Sequence, residues 1–155
     1  MTVSSFLQFC ADVRELKGSH KKRAVETAIE TCFLQSVAYQ SIQTLSKGFR
    51  HRTCLAQAIL HDPPVLILDE PTDGLDPNQK YEVRQLIAKL GQTKTILFST
   101  HILEEVEAVC TRAVIVDRGT IVADGTPSEL QARTQSGSLL ELFRKITTED
   151  TTAAA

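Results

Sequence analysis

Two carboxylates stand side by side, Asp69 and Glu70, after the aliphatic run Val65-Leu66-Ile67-Leu68 and before Pro71. Such a run suits a strand buried on both faces of a parallel sheet, and ligands of open α/β sheets gather at the carboxyl ends of strands. Adjacent strand residues point to opposite sides, so the two acids can do different work. Asp69 is placed to hold the water shell of a Mg²⁺ ion, and Glu70 to polarise an attacking water. Taken alone, the same run also reads as a polar strand end leading into a turn.

A second constellation is Leu45-Ser46-Lys47-Gly48-Phe49-Arg50-His51-Arg52. A serine N-cap followed by glycine leaves backbone N–H groups unpaired at a helix start, which is a ready anion site. Basic residues in the first turns oppose the helix dipole by roughly a few tenths of a kcal/mol. They make better sense if an anion docks there, although a capped helix with a solvated basic face explains the segment equally well. Ser99-Thr100-His101 follows a second apolar run. His101 can sense or stabilise a terminal phosphate, or sit on a surface loop.

The elements that must position these groups divide into two regimes. Residues 1–62 read as helical: Phe6, Phe9, Cys10, Val13 and Leu16 recur at helical spacing before Gly18. A second helix is predicted over Ser19–Phe33, with Val25, Ala28, Ile29 and Cys32 inward. A third starts at Ser46 and stops before Asp62-Pro63-Pro64, because proline lacks a backbone donor and restricts its predecessor. From Val65 the pattern alternates strand and helix. Asp76 and Pro77 form a helix N-cap and first position, Val83, Leu86, Ile87 and Leu90 an apolar stripe, and Gly91 a stop. Lys94–Ser99 is predicted as a buried strand, Ile102–Cys110 as a short helix, and Ala113–Asp117 with Thr120–Asp124 as a hairpin around Arg118-Gly119. Leu130 and Leu139–Ile146 belong to closing helical segments, and Thr147–Ala155 is expected to fray.

In this order the segments resemble the second half of an ABC transporter ATP-binding domain. Leu45–Phe49 is similar to its signature motif, Leu66–Pro71 to its Walker B motif, Gly74–Pro77 to its D-loop and Ser99–His101 to its switch-histidine loop. The stretch 114–130 resembles the hairpin and helix that follow, and the likeness runs over about Thr2–Leu130. The wording LSKGFR and GLDPNQ is similar to the gliding-motility-type and related ABC-2 exporters. Lys47 and Phe49 depart from the usual LSGGQ, and lysine at that place occurs in this subfamily.

The resemblance implies a partial P-loop NTPase (RecA-like) α/β core preceded by an α-helical subdomain. It divides the chain into residues 1–62, 63–133 and 134–155. It also implies ATP with Mg²⁺, Asp69 on the metal through water, Glu70 as general base and His101 on the γ-phosphate. Ser46, Lys47 and Gly48 would meet the nucleotide of a second ATPase domain in trans, beside the D-loop residues Gly74, Leu75 and Asp76. Partners would be that second domain and transmembrane transporter subunits, met through the helical first third at the cytoplasmic face of the membrane.

No G-x-x-x-x-G-K-[ST] occurs among the 155 residues, and no glutamine loop precedes the signature. Met1-Thr2-Val3 matches a point inside many relatives, so the chain is expected to be a truncated form, inactive alone. In the implied sheet the phosphate-loop strand lies between strands 94–99 and 113–117. Without it these strands lose a shared neighbour, and poor solubility or marginal stability is expected.

Bulk properties narrow the field. A formal net charge of −2 supplies no overall positive field for nucleic acid. That disfavours a nucleic-acid- or ribosome-linked ABC ATPase, which would also carry two cassettes or a long coiled-coil insertion. No apolar run approaches the ~20 residues that span a bilayer, and no cationic and apolar leader opens the chain. Cys10, Cys32, Cys54 and Cys110 lack metal or disulfide spacing and are expected as reduced, mostly buried thiols. A rival class is a non-catalytic partner that lends its signature to a complete ATPase domain.

Overall fold

In a computed structural model, which describes residues 1–148, the chain is α/β and divides into two compact units, one of Met1–Ser99 and one beginning at Thr100. The first unit opens with α1 (Val3–Val13), α2 (Gly18–Thr31) and α3 (Lys47–Ile59), joined by single-turn 3-10 segments at Gln35–Val37 and Ile42–Thr44. It continues with β1 (Val65–Asp69), α4 (Pro77–Leu90) and β2 (Thr95–Ser99). The second unit holds α5 (Leu103–Val109), β3 (Ala113–Asp117), β4 (Thr120–Gly125), α6 (Pro127–Gln131) and α7 (Leu139–Thr148).

One apolar core organises the first unit. Val3, Leu7 and Ala11 of α1 are wholly buried, against Val25, Ala28 and Cys32 of the second helix, Leu55 and Ala56 of α3, Leu66 of β1 and Leu86 and Leu90 of α4. The α1 stripe therefore runs through positions 3, 7 and 11, with Phe6, Cys10 and Leu16 at its border. Phe9 and Val13, which recur with them at helical spacing, are 56% and 67% exposed. The i, i+4 row that includes Val3 wins because the chain before it is stitched in place. Val3 N–H donates to Gln40 O, and Ile42 N–H to Met1 O.

β1 and β2 pair in parallel, Val65 opposite Thr95 through Asp69 opposite Ser99. Expectation and structure part here. Leu66, Leu68 and Ile96 face the core, but Val65, Ile67 and Leu97 on the other face are 52%, 76% and 63% exposed. The strands alternate between covered and open faces, because one helical layer packs on one side of this pair only. Within the described residues β2 bonds to β1 and β3 to β4, in two separate two-stranded sheets.

The hairpin forms as its sequence dictates. Arg118 and Gly119 take left-handed φ of 48° and 78°, the conformation a tight two-residue hairpin turn demands. A bulge interrupts the register between Ile115 and Val116. Arg112 grips Asp124 with two hydrogen bonds of 2.8 and 2.6 Å, which holds that carboxyl below its usual range. Ala123, Leu130, Leu139 and Leu142 are the buried core of this unit, and Thr126 and Glu129 close a capping box on α6. Thr147 and Thr148, expected to fray, belong to α7; the remaining residues of that expected tail lie outside those described. Among the described residues no helix is long and apolar enough to cross a membrane. All four thiols are free; Cys32 is buried, Cys10 and Cys110 half-buried, and Cys54 exposed rather than covered.

Candidate functional site

The parallel register sets Asp69, the last residue of β1, beside Ser99, the last of β2. The Ser99 hydroxyl donates to Asp69 Oδ1 at 2.5 Å and accepts from the Glu70 backbone N–H at 3.0 Å. Asp69 is exposed and Glu70 half-buried. Glu70 leaves the strand at φ 41°, a left-handed conformation that costs a non-glycine residue about 1 kcal/mol or more. A backbone reversal therefore separates the two acids, where strand alternation was expected to do so. Ser99 is the positioning group, a role the sequence did not give it within the Ser99–His101 segment. Its part depends on a register between residues 30 positions apart.

The chain then tightens into the turn that carries Gly74, Leu75 and Asp76. Asp73 N–H donates to Glu70 O at 3.0 Å and Leu75 N–H to Thr72 O at 3.2 Å. Thr72 and Leu75 are buried and anchor the turn, while Gly74 takes φ 62°. Asp76 caps α4, its carboxylate accepting from Gln79 N–H at 3.0 Å, with Pro77 in the first turn.

Ser46 caps α3 as expected, its hydroxyl accepting from Phe49 N–H at 3.3 Å. Ser46 and Lys47 are exposed, whereas Gly48 is buried. The basic residues, read as awaiting an anion or as a solvated face, already have partners within the chain. Lys47 Nζ lies 3.4 Å from Asp73 Oδ2, and Arg50 Nη1 donates to Leu45 O at 3.0 Å. Arg52 is buried, pairs with Glu82 at 3.1 Å and stacks 4.7 Å over the Phe49 ring. Its Nε has no hydrogen-bond partner among the described residues. Arg52, Cys54, Ile67, Asp69, Pro71 and Val83 line a cleft of about 280 Å³ beside the strand-end acid.

In the second unit His101 is exposed on the loop before α5. The neighbouring Thr100 hydroxyl accepts from Ile102 N–H at 3.1 Å and meets Glu105 Oε2 at 2.8 Å. Glu105 is 1% exposed, a buried carboxylate that the charge-rich sequence of α5 gave no reason to distinguish from its exposed neighbours Glu104 and Glu107. Thus the structure gathers Asp69, Glu70 and Ser99 at one strand end, and sets Lys47 against the turn of Asp73 and Gly74 and Gly48 beneath Gln79 of α4.

No group of three or more His, Cys, Asp or Glu among the described residues forms a metal cage. The exposed Asp69 carboxylate beside a hydroxyl fits a different mode. Mg²⁺ keeps several waters, and one carboxylate with substrate phosphates suffices to hold it.

The sequence profile of the ABC transporter family matches residues 2–73. Nod factor export ATP-binding protein I of Paraburkholderia xenovorans is 39% identical over 120 residues, covering 77% of this chain and 40% of that protein. Linearmycin resistance ATP-binding protein LnrL of Bacillus subtilis is 36% identical over 126 residues, covering 81% of this chain and 40% of the relative. The chain thus spans about 40% of the length of these curated relatives. Among solved structures, an ATP-binding subunit of an ABC transporter superposes with a TM-score of 0.77 at 27% identity, over 94% of this chain and 62% of the other. CbiO1 of Clostridium perfringens, described as part of the ABC transporter complex cbiONQ, gives 0.77 at 28% identity over 84% and 53%. The α/β architecture is that of the P-loop NTPase fold as ABC ATP-binding domains build it. In sequence and in fold, the chain belongs to the ABC transporter ATP-binding family.

Proposed function

We propose that these residues supply the hydrolytic side and the signature helix of the ATP-hydrolysing subunit of an export-type ABC transporter at the cytoplasmic face of a membrane. The observation that carries this reading is the Asp69–Ser99–Glu70 arrangement at the carboxyl end of a parallel strand pair. A hydroxyl that fixes both the carboxylate and the backbone of the next acid keeps the two groups in set positions, and positioning is most of phosphoryl-transfer catalysis. Bound Mg²⁺ would neutralise charge developing on the phosphates. Asp69 would hold its water shell, Glu70 would accept a proton from the attacking water, and His101 would meet the γ-phosphate. Export agrees with the printed roles of the Nod factor and linearmycin relatives. The exposed Phe9, Val13, Phe33 and Tyr39 of the helical first third offer an apolar surface to transmembrane subunits.

No phosphate-loop motif lies within the 155 residues, so the reading holds that they do not grip ATP by themselves. A chimera tests it, with the phosphate-loop half of one relative placed ahead of Thr2. Mg²⁺-dependent ATP hydrolysis by the chimera, abolished by Glu70→Gln with nucleotide binding retained, is the expected result. Equal hydrolysis by chimera and variant would remove Glu70 from its role, and micromolar ATP binding by the unextended chain would overturn the dependence on a phosphate loop.

A second reading is favoured by the intact Ser46 cap and buried Gly48: the chain serves a complete ATPase domain in trans. ATP-dependent association with such a domain, weakened by Ser46→Ala, is its signature.

A further inference from the structure

Two glycines of the first unit each form the floor for a polar side chain of the other's segment. At Gly48, in the first turn of α3, an added Cβ would lie 2.5 Å from Gln79 Oε1 of α4. At Gly74, in the turn before α4, an added Cβ would lie 1.7 Å from Lys47 Nζ and 2.8 Å from its Cε. The lysine stem therefore crosses the bare backbone of Gly74 and ends at Asp73 Oδ2, 3.4 Å away. The glutamine amide covers Gly48 in return, which is why that glycine is buried although its neighbours Ser46 and Lys47 are exposed.

We infer that Lys47, Asp73 and Gln79 form a reciprocal clasp across Gly48 and Gly74 that holds the start of α3 closed, with the Asp73 carboxylate occupying the ammonium that an incoming phosphate must take. The inference rests on the proposed function of Ser46–Gly48 as a phosphate site and names how that site is regulated. The chemistry is a competition between two oxyanions for one cation. A carboxylate tethered in the neighbouring turn sets the threshold, and phosphate displaces it by bringing more negative charge and by accepting from the backbone N–H groups of the helix start. Displacement draws the lysine stem off the bare backbone of Gly74.

The lysine and aspartate side chains are 48% and 57% exposed, so the latch is weak and screened by salt. Weakness is what a displaceable latch requires. The test is titration of pyrophosphate into the 155-residue chain at low salt, read by the backbone amide signals of Gly48 and Phe49. Asp73→Asn should bind about fivefold more tightly than wild type, the ceiling for a pair of this exposure. The gain should vanish in a Lys47→Met background and shrink as salt rises. Unchanged or weaker binding by Asp73→Asn, or a gain that persists without Lys47, would overturn the clasp. Failure of the underlying reading is distinguishable: Ser46→Ala and wild type would then bind pyrophosphate equally, whereas a failed clasp alone leaves the Ser46→Ala deficit in place.

Discussion

Ser99 uses its hydroxyl both ways, as donor to Asp69 and as acceptor from the Glu70 N–H. Removing it frees a carboxylate and a backbone amide together. In the chimera that carries a relative's phosphate-loop half, Ser99→Ala should lower kcat about tenfold, the equivalent of about 1.4 kcal/mol, with little change in KM. Ser99→Thr should restore most of it, and steady-state ATPase kinetics on the three proteins decide. Asp69 and Glu70 were legible from their place after an apolar run, and Ser46 and Asp76 from helix-capping chemistry. The positioning role of Ser99 was not, since nothing local marks a serine whose partner arrives through strand register. Glu70 makes a second point at this scale. Glycine takes its φ of 41° freely and alanine does not. Both substitutions remove the same carboxylate, so Glu70→Gly should be the more stable of the two by about 1 kcal/mol, as chemical denaturation can show.

Helices show the same division between what spacing reveals and what tertiary contact decides. The Ser46 and Asp76 caps, the proline stop after α3 and the Arg118-Gly119 turn fall where sequence chemistry puts them. The buried row of α1 does not follow the row of largest residues, because the pairing of Thr2 with Ser41 constrains the helix's rotation. Cys32 caps the end of α2 inside the core, and burial pushes its thiol up to about 12, with Arg52 opposing. The proton is thus held more tightly in the folded chain than in the unfolded one. The sign follows: this contribution is intact below the unfolded thiol's pKa of about 8.5 and is lost as pH rises toward 12, by up to about 1.4 kcal/mol per pH unit. Cys32→Ala should be less stable at neutral pH yet show a shallower alkaline decline in urea denaturation between pH 8.5 and 10.5.

At the scale of the whole molecule, fold class and element order could be read from residue patterns, but which strand faces are covered could not. The aliphatic run of β1 looks the same whether one face is packed or two, and only the layers around it tell them apart. Val65, Ile67 and Leu97 form one open apolar face; Val114, Val116 and Ile121 are exposed on the hairpin. A solvated apolar strand face is a template for association. Ile67→Thr with Leu97→Thr should reduce light scattering at high concentration while leaving the helical core's circular dichroism unchanged. The open face also changes what a melting temperature of this chain means. If contact between faces is reversible and confined to folded chains, mass action links folding to protein concentration. Tm should then climb with dilution reversed, by degrees per tenfold rise in concentration, and the double threonine variant should melt at one temperature throughout.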